Sequence, residues 1–192
     1  EHVIAFGEPR VFEVGGATFT LTLLSAGHIL GSAMAFVEAD GESLLYTGDF
    51  KLRAGLAAET CRPRRADCLV METTFGRPQY QMPPAAEVRE NLLVFCRETL
   101  ASGATPVLLA YSLGKTQELL RRLDGAGLRF ALHDAAWKMT CIYEEFGQRF
   151  PAYHLHAPGQ TAARVVVCPA MSGKTARAQH TGAARTAVIT GW

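Results

Sequence analysis

Apolar residues fall in short alternating runs up to about Met71 and in helix-spaced runs after Pro83. "VFEVGGATFTLTLL" carries two apolar, β-branched runs on either side of Gly15-Gly16, and "AMAFVEADGESLLYTG" repeats the arrangement around Asp40-Gly41. Gly-Gly and Asp-Gly between such runs predict hairpins, hence an antiparallel β layer. "CRPRRADCLVMETTFG" then predicts a polar link and a buried strand from Cys68 to Met71.

The period changes after Pro83. "PPAAEVRENLLVFCRETLASG" opens on proline, places Val88, Leu92, Val94, Phe95 and Leu100 near helical spacing, and ends at Gly103, which predicts an amphipathic helix. There follow a strand in "TPVLLAYS", a helix in "LGKTQELLRRLDGAG", a strand in "LRFALH" and a helix in "DAAWKMTCIYEEFG" with Asp134 as its N-cap. The stretch "QRFPAYHLHAPGQ" reads as irregular, and "ARVVVCP" and "RTAVITGW" supply two more strands. Such alternation predicts βαβ units and a parallel sheet, so the fold class is α/β with a boundary near residues 75–84.

With 48% hydrophobic and 19% charged residues in 192, the chain has the composition of a soluble globular protein. It has no apolar run of about 18 residues and no signal-peptide pattern at its start, so no membrane partner and a cytoplasmic location are expected. Cys61, Cys68, Cys96, Cys141 and Cys168 are odd in number and never form C-x-x-C, which points to reduced, partly buried thiols. The net charge of +1 favours no polyanion globally. Its distribution says more: residues 1–145 hold 14 basic and 18 acidic residues, whereas Arg149, Arg164, Lys174, Arg177 and Arg185 lie in a final quarter with no acid. That quarter either meets phosphate or is a solvated face balanced elsewhere in the fold. The chain starts at Glu1 and stops on "AVITGW", and both ends read as cut.

Three polar groups follow three apolar strands. His28 lies in "SAGHILGSAMAF", where flanking glycines let a strand end aim an imidazole at a metal, or where it serves as a hydrogen-bonded structural histidine. Asp49 ends "SLLYTGDF" as a turn residue or a ligand, and Glu72 follows "CLVM". Together they mark one rim of a β layer as the place for chemistry. In "AYSLGKTQELL", Ser112, Gly114 and Lys115 precede or open a helix whose free N–H groups could seat phosphate; helix capping by Ser112 is the alternative. It is no Walker A loop, since Leu109 stands where the first glycine is needed, and at Gly173–Thr175 Cys168 does. His154 and His156 have ligand-like i, i+2 spacing but read as surface or loop. Neither G-x-S-x-G nor G-x-G-x-x-G occurs, which removes serine-hydrolase and Rossmann readings.

Taken in order, "SAGHILGSA", "LLYTGDF", "METTFG" and "AYSLGKTQEL" resemble the central part of a metallo-β-lactamase-fold nuclease of the beta-CASP group. That group includes the endonuclease of pre-mRNA 3′-end processing, ribonuclease J and bacterial exonucleases associated with DNA ligase. "AAWKMTCIYEEFG" makes the bacterial exonuclease type the most similar. The resemblance implies part of an αββα metallo-β-lactamase domain over residues 1–78 and a parallel-sheet α/β beta-CASP cap over 79–192. It implies that His28 and Asp49 bind metal, that Glu72 is the catalytic acid, and that Ser112, Gly114 and Lys115 face nucleic acid. Two zinc ions and a single-stranded RNA or DNA substrate come with it, and a homodimer is compatible with it.

The family's His-x-His-x-Asp-His signature and its two later histidine motifs are not in this chain. The resemblance therefore implies phosphodiester hydrolysis by the intact protein, and a fragment with two metal ligands that is inactive alone. Two alternatives stand beside it: a non-catalytic nucleic-acid-binding module, and a small-molecule metallo-hydrolase of the same superfamily, against which the α/β stretch after Pro83 argues.

Overall fold

Gly15 and Gly16 close the first hairpin. In the computed structural model, which describes residues 2–157, 164–169 and 183–189, β1 (Pro9–Val14) turns there into β2 (Ala17–Ser25). Strand β3 (Ala33–Ala39) pairs with β2 and turns into β4 (Glu42–Tyr46) through Asp40-Gly41, both at positive φ, as the tight hairpin turns that match strand twist require. The sheet runs in the order β1-β2-β3-β4-β5 and lies in the first of two units, Glu1–Gln81; the second is Met82–Trp192.

The predicted antiparallel layer is corrected in one respect: β5 (Cys68–Val70) runs parallel to β4. Parallel neighbours need a long crossover, and residues 47–67 provide it. The start of β5 is clamped to that of β4, because the Ser43 N–H and Oγ–H both donate to Asp67 Oδ2 (2.9 and 2.6 Å) and the Asp67 N–H donates back to Ser43 Oγ (3.1 Å). Nor is β5 buried; it is the sheet edge, with Leu69 and Val70 exposed.

Alternation sorts the side chains. Leu24, Met34, Phe36 and Leu45 share a face with a period of two and form a core with Ala26 and Cys61, against which Phe50 and Ala66 of the crossover pack. Full burial of such side chains contributes about 1.5–3 kcal/mol each.

The second unit is a parallel sheet in the order β10-β6-β9-β7-β8, from β6 (Thr105–Leu109), β7 (Phe130–Leu132), β8 (Tyr153–Leu155), β9 (Val165–Cys168) and β10 (Ala184–Val188). The connecting helices are α1 (Ala85–Ala101), α2 (Lys115–Arg122) and α3 (Asp134–Glu145). Leu92, Leu93 and Cys96 of α1, Leu119 and Leu120 of α2, and Ala136 of α3 pack on Leu108, Phe130, Leu132, Val165 and Val167. The alternate residues Val107, Ala131, Val166 and Cys168 form a second cluster. Strands buried on both faces read as unbroken apolar runs, which is why "VVVC" shows no alternation.

Four predicted details differ. The buried stripe of α1 is Leu92, Leu93, Cys96 and Thr99, and Val94 is exposed. The N-cap of α3 is His133, whose Nδ1 accepts from the Ala135 N–H at 3.3 Å, and Asp134 instead pairs with Lys138. Ser112 does not cap α2; Gly114 holds that position at φ 76° without a side-chain bond. The stretch read as irregular contains β8, with His154 on the sheet edge and the His156 N–H bonded to the Leu132 carbonyl. Lys174 and Arg177 of the basic quarter and the second Gly-Lys-Thr, 173–175, lie outside the described residues.

Candidate functional site

His28 and Asp49 come together at the open end of the first sheet, where His28 Nε2 stands 3.8 Å from Asp49 Oδ2. Three backbone segments cross there. The Lys51 N–H donates to the Ala26 carbonyl (2.9 Å) and the Arg62 N–H to the Ser25 carbonyl (3.0 Å), so the end of β2 is gripped from both sides. The Ser25 hydroxyl adds a bond to the Thr60 carbonyl at 2.6 Å. Gly27 is required at the crossing: it sits at φ +71°, and a Cβ there would lie 2.8 Å from both Cys61 N and the Lys51 carbonyl oxygen.

Ser32 fixes the turn that carries the imidazole. Its hydroxyl accepts from the His28 N–H (3.0 Å) and the Ile29 N–H (3.2 Å) and donates to the Ile29 carbonyl (2.8 Å). The Glu59 carboxylate accepts from the Gly31 N–H at 3.0 Å, tying the turn to the crossover. The His28 side chain is 25% exposed and that of Asp49 72%, so an ion can reach the pair from solvent.

Glu72 is one strand over. Thr47, buried at the end of β4, donates its N–H to the Val70 carbonyl (3.0 Å), and its hydroxyl accepts from the Glu72 N–H (3.3 Å) while donating to the Gly48 carbonyl (2.8 Å). One threonine thus ties the segment bearing Asp49 to the segment bearing Glu72. Glu72 Oε2 accepts from the Thr74 N–H at 2.9 Å.

Two donors on one tetrahedral zinc, at bond lengths of about 2.0–2.1 Å, stand about 3.4 Å apart. The His28–Asp49 separation of 3.8 Å fits two corners of such a site. Among the described residues no group of three His, Cys, Asp or Glu side chains converges on an ion. Burial pushes the Cys61 thiol, beside Gly27, up from the ordinary 9.0 against a weaker, opposing backbone hydrogen bond with Lys51.

The second unit places Ser112, Gly114 and Lys115 at the start of α2, where two of the first N–H groups are already bonded. The Lys115 N–H donates to the Leu113 carbonyl (2.9 Å), and the Thr116 N–H and hydroxyl donate to the Tyr111 carbonyl (3.1 and 2.8 Å). Lys115 is only 4% exposed, with its ammonium 5.5 Å from the Tyr111 ring centroid. Ser112 offers its carbonyl to the buried Gln117 amide (3.1 Å), which also donates to Thr140 Oγ1 (2.9 Å).

No family model matches the chain. It is 46% identical over 193 residues to a probable DNA ligase of Opitutus terrae, an alignment covering 100% of this chain and 19% of that protein. It is 37% identical over 114 residues to the endoribonuclease ysh1 of Schizosaccharomyces pombe, covering 58% of this chain and 14% of the relative. It is also 38% identical over 128 residues to the transcription termination factor FttA of Methanothermobacter thermautotrophicus, covering 65% and 20%. These matches join the four ordered motifs to the α/β architecture. The chain belongs to the beta-CASP metallo-β-lactamase nuclease family.

The chain spans about a fifth or less of the length of these relatives. Within the quoted motifs, the roles of three residues that build the rim escaped sequence reasoning: Gly27 as a packing position, Ser32 as the lock on the histidine turn, and Thr47 as the tie between strand ends. The signals for them were a glycine directly before the histidine, a serine four residues after it, and a threonine just before Gly48-Asp49.

Proposed function

We propose that this chain is part of a zinc-dependent hydrolase that cleaves phosphodiester bonds of single-stranded RNA or DNA. The observation that carries the reading is the convergence of His28 and Asp49, two zinc-competent donors, at one end of a sheet in a beta-CASP chain.

Zinc bound there would lower the pKa of a water toward neutrality and stabilise charge developing on the attacked phosphate. His28 contributes an imidazole whose position is set by Ser32, and Asp49 contributes an exposed carboxylate that offsets the charge of a cation. Glu72 acts at the leaving oxygen as an acid, held at the strand end through Thr47 and Thr74. Lys115 acts through positive potential beneath Tyr111 rather than through a direct ion pair. Zinc sites take at least three protein ligands, so the chain by itself binds zinc weakly and hydrolyses nothing.

The experiment is a nuclease assay on a full-length protein carrying these residues, with matched single-stranded RNA and DNA, with and without chelator. Cleavage that chelator abolishes and that Asp49→Asn lowers by about 100-fold or more supports the reading. Chelator-resistant cleavage, or unaltered cleavage by the variant, contradicts it. A protein that binds the oligonucleotides and never cleaves them would instead be the non-catalytic nucleic-acid-binding module.

A further inference from the structure

The first unit is acidic except in one place. Residues 50–66 hold Lys51, Arg53, Arg62, Arg64 and Arg65 against the single acid Glu59, whereas the rest of Glu1–Gln81 holds two basic residues, Arg10 and Arg77, against nine acids. Glu59 already has its carboxylate on the Gly31 N–H. The four arginines of the segment are exposed, and Arg62 and Arg64 form no ion pair among the described residues.

The segment is also the one that grips the candidate site. Lys51 is two residues beyond Asp49 and bonds to Ala26; Arg62 bonds to Ser25, at the other side of the strand that delivers His28. From there the chain moves outward along the sheet: the Arg64 guanidinium lies 4.6 Å above the Phe36 ring, and Arg65 lines a groove with Glu38, Asp40 and Glu42, whose charge offsets its own. A polyanion approaching a rim that carries Asp49 and Glu72 meets repulsion unless cations flank its path. Arginine suits that task, since its planar fork pairs with phosphate oxygens and a ring beneath it restricts its motion.

We infer that the segment from Lys51 to Arg64 is the phosphate-backbone track for a single-stranded nucleic acid at the His28–Asp49 rim, with Lys51, Arg53 and Arg62 beside the rim and Arg64 farther out. The inference rests on the nucleic-acid reading of the previous subsection and assigns its contact surface to the first unit, not to the basic final quarter.

The test is the salt dependence of binding of labelled oligo(U) and oligo(dT) to the chain in EDTA, which separates binding from cleavage. Each phosphate contact contributes about −0.7 to the slope of log affinity against log salt for single strands. Arg62→Gln with Arg64→Gln flattens the slope by about 1.4, and Arg53→Gln with Arg62→Gln, which leaves the Phe36 contact intact, does the same. The control pair Arg10→Gln with Arg97→Gln, equal in charge removed, leaves it unchanged. Circular dichroism melting confirms that each variant folds. Equal flattening by the control pair, or none by either test pair, overturns the inference while leaving the nucleic-acid reading in place. No binding of either oligonucleotide overturns both.

Discussion

His28 Nε2 stands 3.8 Å from Asp49 Oδ2, although the two residues belong to different strand ends with a hairpin between them. The pair depends on the crossing of three backbone segments at Gly27 more than on any direct attraction between imidazole and carboxylate. With Asp49 mostly in solvent, an ion pair of this kind would contribute little.

Gly27→Ala tests that dependence. An alanine at φ +71° costs about 1–2 kcal/mol in backbone strain alone, and its Cβ meets two backbone atoms at 2.8 Å that cannot rotate away. The expected loss of stability is about 2–4 kcal/mol, read from chemical denaturation. A loss below about 0.5 kcal/mol, the range of ordinary surface substitutions, would show that the crossing is not tight.

Asp67 gives a pH prediction. Hydrogen bonds from the Ser43 hydroxyl and N–H hold its carboxyl below the ordinary 3.8. A carboxyl lowered on folding stabilises the fold above its unfolded value, and the contribution disappears as the pH falls through the folded value. Wild type therefore loses stability relative to Asp67→Asn as the pH drops below 3.8, and the two run parallel near neutrality. Parallel melting curves throughout the acid range would contradict the clamp.

The cysteines separate by burial. Cys96 and Cys168 are fully buried, and burial pushes both thiols up from 9.0 to about 11, whereas Cys68 lies exposed on the sheet edge. Alkylation followed by mass spectrometry at neutral pH is expected to modify Cys68 readily and to leave Cys96 and Cys168 unmodified until the chain unfolds. Because both buried values are raised, their stabilising effect is intact below 9.0 and disappears as the pH climbs toward about 11. Rapid labelling of Cys168 in the folded chain would place β9 elsewhere than in the core.

Much of the fold was legible because it is written in local pattern. Gly15-Gly16 and Asp40-Gly41 mark hairpins by turn chemistry alone, and the alternation after Pro83 marks βαβ units. Strand β5 and strand β8 were misread because each is three residues long, too short to show a period, and its depth depends on what lies beside it in space. At the site, the strand-end positions of His28, Asp49 and Glu72 could be read from the runs that precede them. The ties made by Ser32, Thr47 and Gly27 could not, since Gly27 matters through contacts with residues 24 and 34 positions away. The start of α2 is legible in sequence as a helix opening, whereas the bonds of the Lys115 and Thr116 N–H groups to Leu113 and Tyr111 and the packing of the Lys115 ammonium on the Tyr111 ring are not.

The central claim is that His28 and Asp49 are two corners of a metal site that needs further ligands. Calorimetric titration of zinc into the chain, beside His28→Ala and Asp49→Asn, tests it most directly. The account predicts one weak binding event in the wild type, lost in each variant without a change in melting temperature. Two tight equivalents in the wild type, or weak binding that both variants retain, would contradict it.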